Sequence, residues 1–249
     1  MRKKLSKIST LHYGKLILRS LLFLAVLVAY ILDRTDILTY HAIIPMIVWI
    51  SFVIEMLFRF FPSKLESMGC QKQFERNYEP ISPDAVPVKL SRRRTVRVVL
   101  AWLALNAVVG ALYFVGLLDR GILILIAIAY SVCDIICILF FCPFQTWLMK
   151  NRCCATCRIY NWDFAMMFTP LVFIPSLYTY SLLGCALILL AKWEITYLRH
   201  PERFSWATNK CLDCSRCEEK LCSHKKQLQG FLKKYKSRFF PPRDANRKN

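Results

Sequence analysis

The chain has little glycine, 7 residues in 249, and few acidic residues, 16 Asp and Glu against 35 Lys and Arg. No glycine loop that could cradle a phosphate is present, and no Ser/His/Asp set or pair of catalytic carboxylates stands out. There is no internal repeat and no low-complexity linker. What the sequence lacks most is a polar shell large enough to cover its apolar residues, which make up 56% of the chain. That excludes a soluble fold in which the apolar runs are buried core helices.

What is present is a series of apolar blocks, each near the length of about 20 residues that crosses a bilayer as a helix. Spans are expected near 16–32, 38–60, 97–118 and 121–141, with a fifth apolar segment at 164–197 interrupted by Pro170 and Pro175. The expected fold is an all-α, polytopic helical membrane protein with four regular spans, a Pro-broken fifth segment and a Cys-rich tail. Residues 1–198 form the transmembrane domain on this reading, and 199–249 a cytosolic tail. The basic start followed by an apolar run resembles a signal sequence, but the run ends in Asp33-Arg34 with no small-residue cleavage site. An uncleaved first span is expected.

Basic residues near span ends stay in the cytoplasm. The first fifteen residues carry Arg2, Lys3, Lys4, Lys7 and Lys15, and the loop 62–94 carries seven more basic residues from Lys64 to Arg94. The turns at 33–37 and 119–120 hold one Arg each, offset by Asp. The N-terminus is therefore placed inside, at the inner (cytoplasmic) membrane of the cell. The Cys-bearing loop 142–163 is then also inside. A single further crossing would put the basic tail outside, so a re-entrant segment or short hairpin at 164–197 is preferred, with the tail inside. In that tail Leu228, Phe231, Leu232, Tyr235 and Phe239 recur at helical spacing among lysines, the pattern of a basic helix lying on anionic lipid. The net charge of +19 is spread over juxtamembrane segments, so nucleic acid is not expected as a partner.

Twelve cysteines fall into two classes. Cys70, Cys133, Cys137 and Cys185 are isolated or intramembrane and are read as small apolar packing groups. The other eight are candidate metal ligands: Cys142, Cys153, Cys154 and Cys157 in one segment, Cys211, Cys214, Cys217 and Cys222 in the other. In a reducing cytosol close-spaced cysteines point to metal or redox chemistry, because a C-x-x-C turn aims two thiolates at one centre. Cys211, Cys214 and Cys217 interlock in two such units, a local resemblance to the cluster motif of bacterial ferredoxins over about a dozen residues. The fourth cysteine, Cys222, departs from that motif: it follows after four residues, and no proline comes after it. Cys222 or His224 could instead close a zinc site. The cofactor expected is an iron–sulfur cluster or zinc. Cys153 and Cys154 are adjacent and cannot both bind one ion with relaxed geometry, so one of them is a redox-active thiol or the segment surrounds a multi-iron cluster.

Asp134, in the middle of the fourth span, is the candidate catalytic residue, as a proton carrier or as a partner of Asn106. Glu55 and Arg59 are expected to pair along their own helix. Asp163 is expected to cap a helix and Trp162 to anchor at the interface. Two functions follow: a membrane redox protein that exchanges electrons with a quinone or a partner subunit, or a scaffold or assembly factor stapled by zinc. A weaker third is a small transporter using Asp134.

Overall fold

The computed structural model describes residues 7–32, 43–62, 68–88, 91–151 and 153–213. Among them there is no strand, and a single bridge pairs Pro80 with Asn209. The helices are α1 (Lys7–Leu32), α2 (Ile43–Phe60), α3 (Met68–Gln73), α4 (Arg92–Phe114), α5 (Arg120–Leu139), α6 (Asp163–Met167) and α7 (Leu177–Arg199). Four contain stretches long and apolar enough to cross a membrane: Thr10–Leu32, Arg92–Phe114, Arg120–Leu139 and Leu177–Arg199. α2 is also apolar and, at 18 residues, reaches about 27 Å along its axis.

The ends of these helices have local causes. α5 begins where the Asp119 carboxylate accepts the Ile122 N–H at 2.8 Å and the Tyr30 hydroxyl at 2.7 Å, a side-chain cap that also ties α5 to α1. α4 starts at Arg92, five residues before the expected span, because Ser91 lies in extended backbone and the basic run behind it is helical. It ends at Phe114, since Gly116 turns the chain at φ 81°.

The long helices turn apolar faces outward as well as into the core. On α1, Ile17, Leu21 (58% exposed), Leu24 (51%), Val28 and Ile31 point outward at helical spacing. His12 and Arg19, each 1% exposed, point inward. α4 and α7 likewise expose Leu100, Leu103, Val108, Leu187 and Ile188. Contiguous apolar surface around an interior that also holds buried charges is stable where the surrounding medium is hydrocarbon. Four apolar helices with this surface are compatible with a multi-pass membrane protein.

The prolines shape the segment between α5 and α7. α6 is a single turn, residues Thr169–Phe173 continue as a 3₁₀ turn with Pro170 near its start, and α7 begins beyond Pro175. Along this stretch Asp163 meets Arg59 near the end of α2, and Phe168 packs edge-on against Phe52, about two turns further along α2. Thr169 accepts from Trp102 midway along α4, and Phe173 reaches Tyr113 and Phe114 at its far end. The broken stretch therefore runs the length of the bundle, with Phe164, Phe168, Leu171 and Ile174 buried in the core. Its close approach to α4 depends on Gly110, where a Cβ would come within 2.5 Å of the Phe173 ring.

One end of the bundle gathers the start of α1 and α4, the finish of α2, α5 and α7, the described parts of the connections 61–91 and 140–162, and segment 200–213. Segment 200–213 docks there against 72–81: Lys210 donates its N–H to Glu79 O at 2.8 Å, Ile81 to Thr208 O at 3.1 Å, and the Asn209 amide to Lys72 O at 2.9 Å. On the other side of α3, the buried Gln73 amide donates to Ala155 O at 2.7 Å and its carbonyl accepts from Asn161 at 2.8 Å.

Candidate functional site

Two features meet at the loop-bearing end: a network of buried charges and a cavity lined with thiols.

The network is centred on Arg19. Its guanidinium donates to Glu55 at 2.5 Å, to the Ser131 carbonyl at 2.7 Å and to Asp134 at 3.1 Å, so one side chain on α1 ties together α2 and α5. It also lies over the Phe52 ring at 5.6 Å. Lys15, one turn earlier, is 3.8 Å from Glu55. Arg59, one turn after Glu55, donates to Asp163 at 2.8 Å and stacks over Phe164 and Tyr160 at 5.0 and 5.5 Å. Three cations thus face three carboxylates, a balance that burial demands. His12 lies among the same groups, buried, and among the described residues neither ring nitrogen has a hydrogen-bond partner.

Several expectations change here. Asp134 pairs with Arg19, whereas the Asn106 amide donates along its own helix to Trp102 O at 3.0 Å. Glu55 and Arg59 each find a partner on another element, because the bundle interior offers Arg19 and Asp163 in better positions than the neighbouring turn. Asp163 does not cap α6; it lies in the first turn, with its carboxylate turned to Arg59. Trp162 donates its Nε1–H to Glu194 on α7 at 2.7 Å, and that carboxylate also holds Arg158 at 2.5 Å.

The cavity, of about 300 Å³, lies between α4, α5, α6 and the loop 142–160. Its apolar wall is aromatic: Trp102 against Tyr130 at 4.9 Å and against Phe144 at 6.0 Å. Its reactive lining is five thiols, Cys133, Cys137, Cys142, Cys154 and Cys157, with the carboxyl groups of Asp134 and Asp163. Asp134 and Cys137 are three residues apart on α5 and so share a face. The Cys137 thiol is a hydrogen-bond partner of Cys142 just past the helix end. Cys142 also accepts the Gln145 N–H at 3.3 Å, and the Gln145 side-chain carbonyl accepts the Cys154 S–H at 2.8 Å. Burial pushes the Cys157 thiol up to about 12, which keeps it protonated.

Cys142, Cys154 and Cys157, grouped from sequence as candidate metal ligands, line this one cavity, and two further thiols join them. Cys133 and Cys137, read as packing residues, line the same cavity; Cys70 does pack in the core. Cys153 is partly buried and does not line the cavity. Among the described residues, no group of three or more Cys, His, Asp or Glu side chains converges closely enough to hold a metal ion. Cys211 sits apart, its S–H donating to Asn77 O at 3.2 Å, with burial raising its pKa above the usual thiol range. Cys214, Cys217, Cys222 and His224, and the basic stripe 225–239, lie outside the described residues, as do the turn 33–42 and His41. Arg19 could have been found from sequence, since an ionisable residue inside an apolar span is a functional candidate wherever it occurs. Gln145 could not, because nothing in its spacing distinguishes it.

Comparison with protein-family models, with characterised proteins and with solved structures finds no match. The functional reading therefore rests on the site alone.

Proposed function

We propose that the chain is a membrane redox protein that passes electrons from the Cys137–Cys142 dithiol to an apolar carrier of the quinone class. The observation that carries the proposal is the cavity, where two hydrogen-bonded thiols face an aromatic wall with a carboxyl group one turn away. A flat ring stacks favourably on such a wall. In the step proposed, the Cys137 and Cys142 S–H bonds break and one S–S bond forms. Two electrons and two protons end on the quinone oxygens, giving quinol. Asp134 takes the thiol proton and delivers it to the reduced ring. Arg19, at 3.1 Å, holds Asp134 in place between turnovers.

Pre-reduced protein in detergent should reduce a short-chain quinone analogue by two electrons per chain, and peptide mapping should then find Cys137 joined to Cys142. Cys137→Ser and Cys142→Ser should each lose that reaction by about 100-fold or more, since neither sulfur alone can supply both electrons. Equal quinone reduction by both variants would reject the proposal.

Orientation is part of the same reading. We place the loop-bearing end in the cytoplasm, where Arg92, Arg93, Arg97 and Lys150 are exposed. The Pro-broken stretch 163–176 is then a sixth crossing, made short because it is buried among other helices, where irregular backbone at membrane depth is tolerated. That returns the chain to the cytoplasmic side at Arg199. Single cysteines introduced at Arg93 and Lys150 should resist a membrane-impermeant thiol reagent in intact cells and react once membranes are opened. Labelling in intact cells would invert the assignment.

The tail motif is a separate proposal, supported by its spacing alone. Protein purified without oxygen should carry iron with acid-labile sulfide, or zinc, lost when Cys211, Cys214 and Cys217 are changed to Ser. Zinc together with a cavity inert to quinone would favour the stapled scaffold. Metal-free folded protein with all four tail thiols alkylated would remove the motif from the account.

A further inference from the structure

We infer that Cys154 is the exchange thiol of this site, taking the disulfide from Cys137–Cys142 and passing it to a dithiol in the aqueous phase. The inference rests on the thiol-to-quinone chemistry proposed above and names where its electrons come from. Turnover needs the new disulfide to be reduced again, and of the sulfurs that line the cavity Cys137 sits on α5, whereas Cys142 and Cys154 belong to the loop that follows it.

Gln145 brings the two sulfurs together. This buried residue, 9% exposed, contacts Cys142 through its backbone N–H and Cys154 through its side-chain carbonyl. Its amide nitrogen donates to Asn151 O at 3.1 Å, which fixes the side-chain orientation. The loop that presents these groups is held in an uncommon backbone. Phe144–Leu148 form a π-helical turn, and Lys150 adopts φ 50°, the left-handed region. Such conformations persist where the surroundings over-determine them, and they cluster at functional sites. Here the surroundings are Arg94, donating to Met149 O at 3.1 Å, and Gln73, donating to Ala155 O. Cys154 lines the cavity, yet it belongs to the loop and not to a span, so it can meet both sides.

The exchange balances without a further reagent. Cys154 gives up its proton and its sulfur attacks Cys142. The Cys142–Cys154 bond forms and the Cys137–Cys142 bond breaks, its electron pair leaving on Cys137, which takes a proton. A dithiol then attacks Cys154, and Cys142 leaves as a thiolate that the Gln145 N–H stabilises. The second thiol of the reductant frees Cys154 and closes its own disulfide. The net reaction is dithiol plus quinone to disulfide plus quinol.

Two measurements test the assignment. In Cys137→Ser treated with diamide, peptide mass mapping should find Cys142 joined to Cys154; Cys142 joined elsewhere, or left as a thiol, overturns it. In steady state, Cys154→Ser and Cys154→Ala should each slow quinone reduction by about 100-fold with dithiothreitol or a reduced C-x-x-C peptide, through loss of an intramolecular step. Use of either dithiol supports the assignment, and the faster one tells a small-molecule from a protein source. Single-turnover quinone reduction by pre-reduced wild-type protein reports separately on the underlying chemistry. If that reaction occurs and both Cys154 variants turn over at the wild-type rate, the exchange role alone is overturned.

Discussion

Replacing Arg19 by leucine should destabilise the protein by about 3–5 kcal/mol, the cost of leaving a buried carboxylate without its counter-charge. The substitution takes the closest cation from Glu55, leaving Lys15 at 3.8 Å, removes the Arg19 contact from Asp134, and opens the junction between α1, α2 and α5. For a chain of this size the loss corresponds to a fall of roughly 10 °C in the thermal midpoint, measured in detergent by the loss of monodisperse protein. Removing Glu55 as well should recover part of that loss, because the double change takes out both members of the closest pair. A double-mutant cycle on Arg19→Leu and Glu55→Gln should therefore show a coupling of 1 kcal/mol or more, within the range of about 0.5–3 seen for neighbours in one network. A midpoint unchanged in Arg19→Leu would mean that the three helices meet differently from the arrangement described.

Asp134→Asn should slow quinone reduction by about 100-fold, the usual contribution of a positioned general base. Asparagine keeps an oxygen that Arg19 can hold at the same 3.1 Å, so the contact survives in form while the proton acceptor is lost. Single-turnover traces on pre-reduced protein separate this effect from any loss of fold. The slowed reaction should accelerate as pH rises, because hydroxide and buffer bases replace the missing carboxylate, and Asp134→Glu should restore part of the rate at neutral pH. An unchanged rate in Asp134→Asn would reduce Asp134 to the counter-ion of Arg19 and leave electron transfer without its proton route.

These two tests divide the site along a line that also separates local from long-range information. Asp134 is legible in sequence as a charge inside an apolar run. Its neighbour in space, Arg19, lies 115 residues away in the chain, and the closest candidate by depth was Asn106. Hydropathy reports how costly a charge is at a given depth but not which helix lies beside it. Glu55 and Arg59 show the same limit: a spacing of four residues permits a local pair, and the bundle offered each a better partner. The thiols follow this rule as well. Cys142, Cys154 and Cys157 share one loop and group by sequence; Cys137 is as near to Cys142 in the chain but lies inside an apolar run, and the end of α5 at Leu139 brings it to the same cavity.

By itself, the sequence determined the helical class and three of the four long apolar helices, at Thr10–Leu32, Arg92–Phe114 and Arg120–Leu139; the fourth, Leu177–Arg199, lies in the segment expected to be broken by proline. Each of these follows from local composition, since backbone groups in hydrocarbon must be satisfied within the segment that carries them. The course of 163–176 along the bundle and the pairing of Arg19 with Glu55 and Asp134 were decided only in three dimensions. The prolines announced a break without saying where the broken stretch would go. Its path depends on Gly110 leaving room for Phe173 and on Arg59 waiting for Asp163. Such matches between distant residues are set by packing and charge balance in a shared interior, and no window of sequence contains both partners.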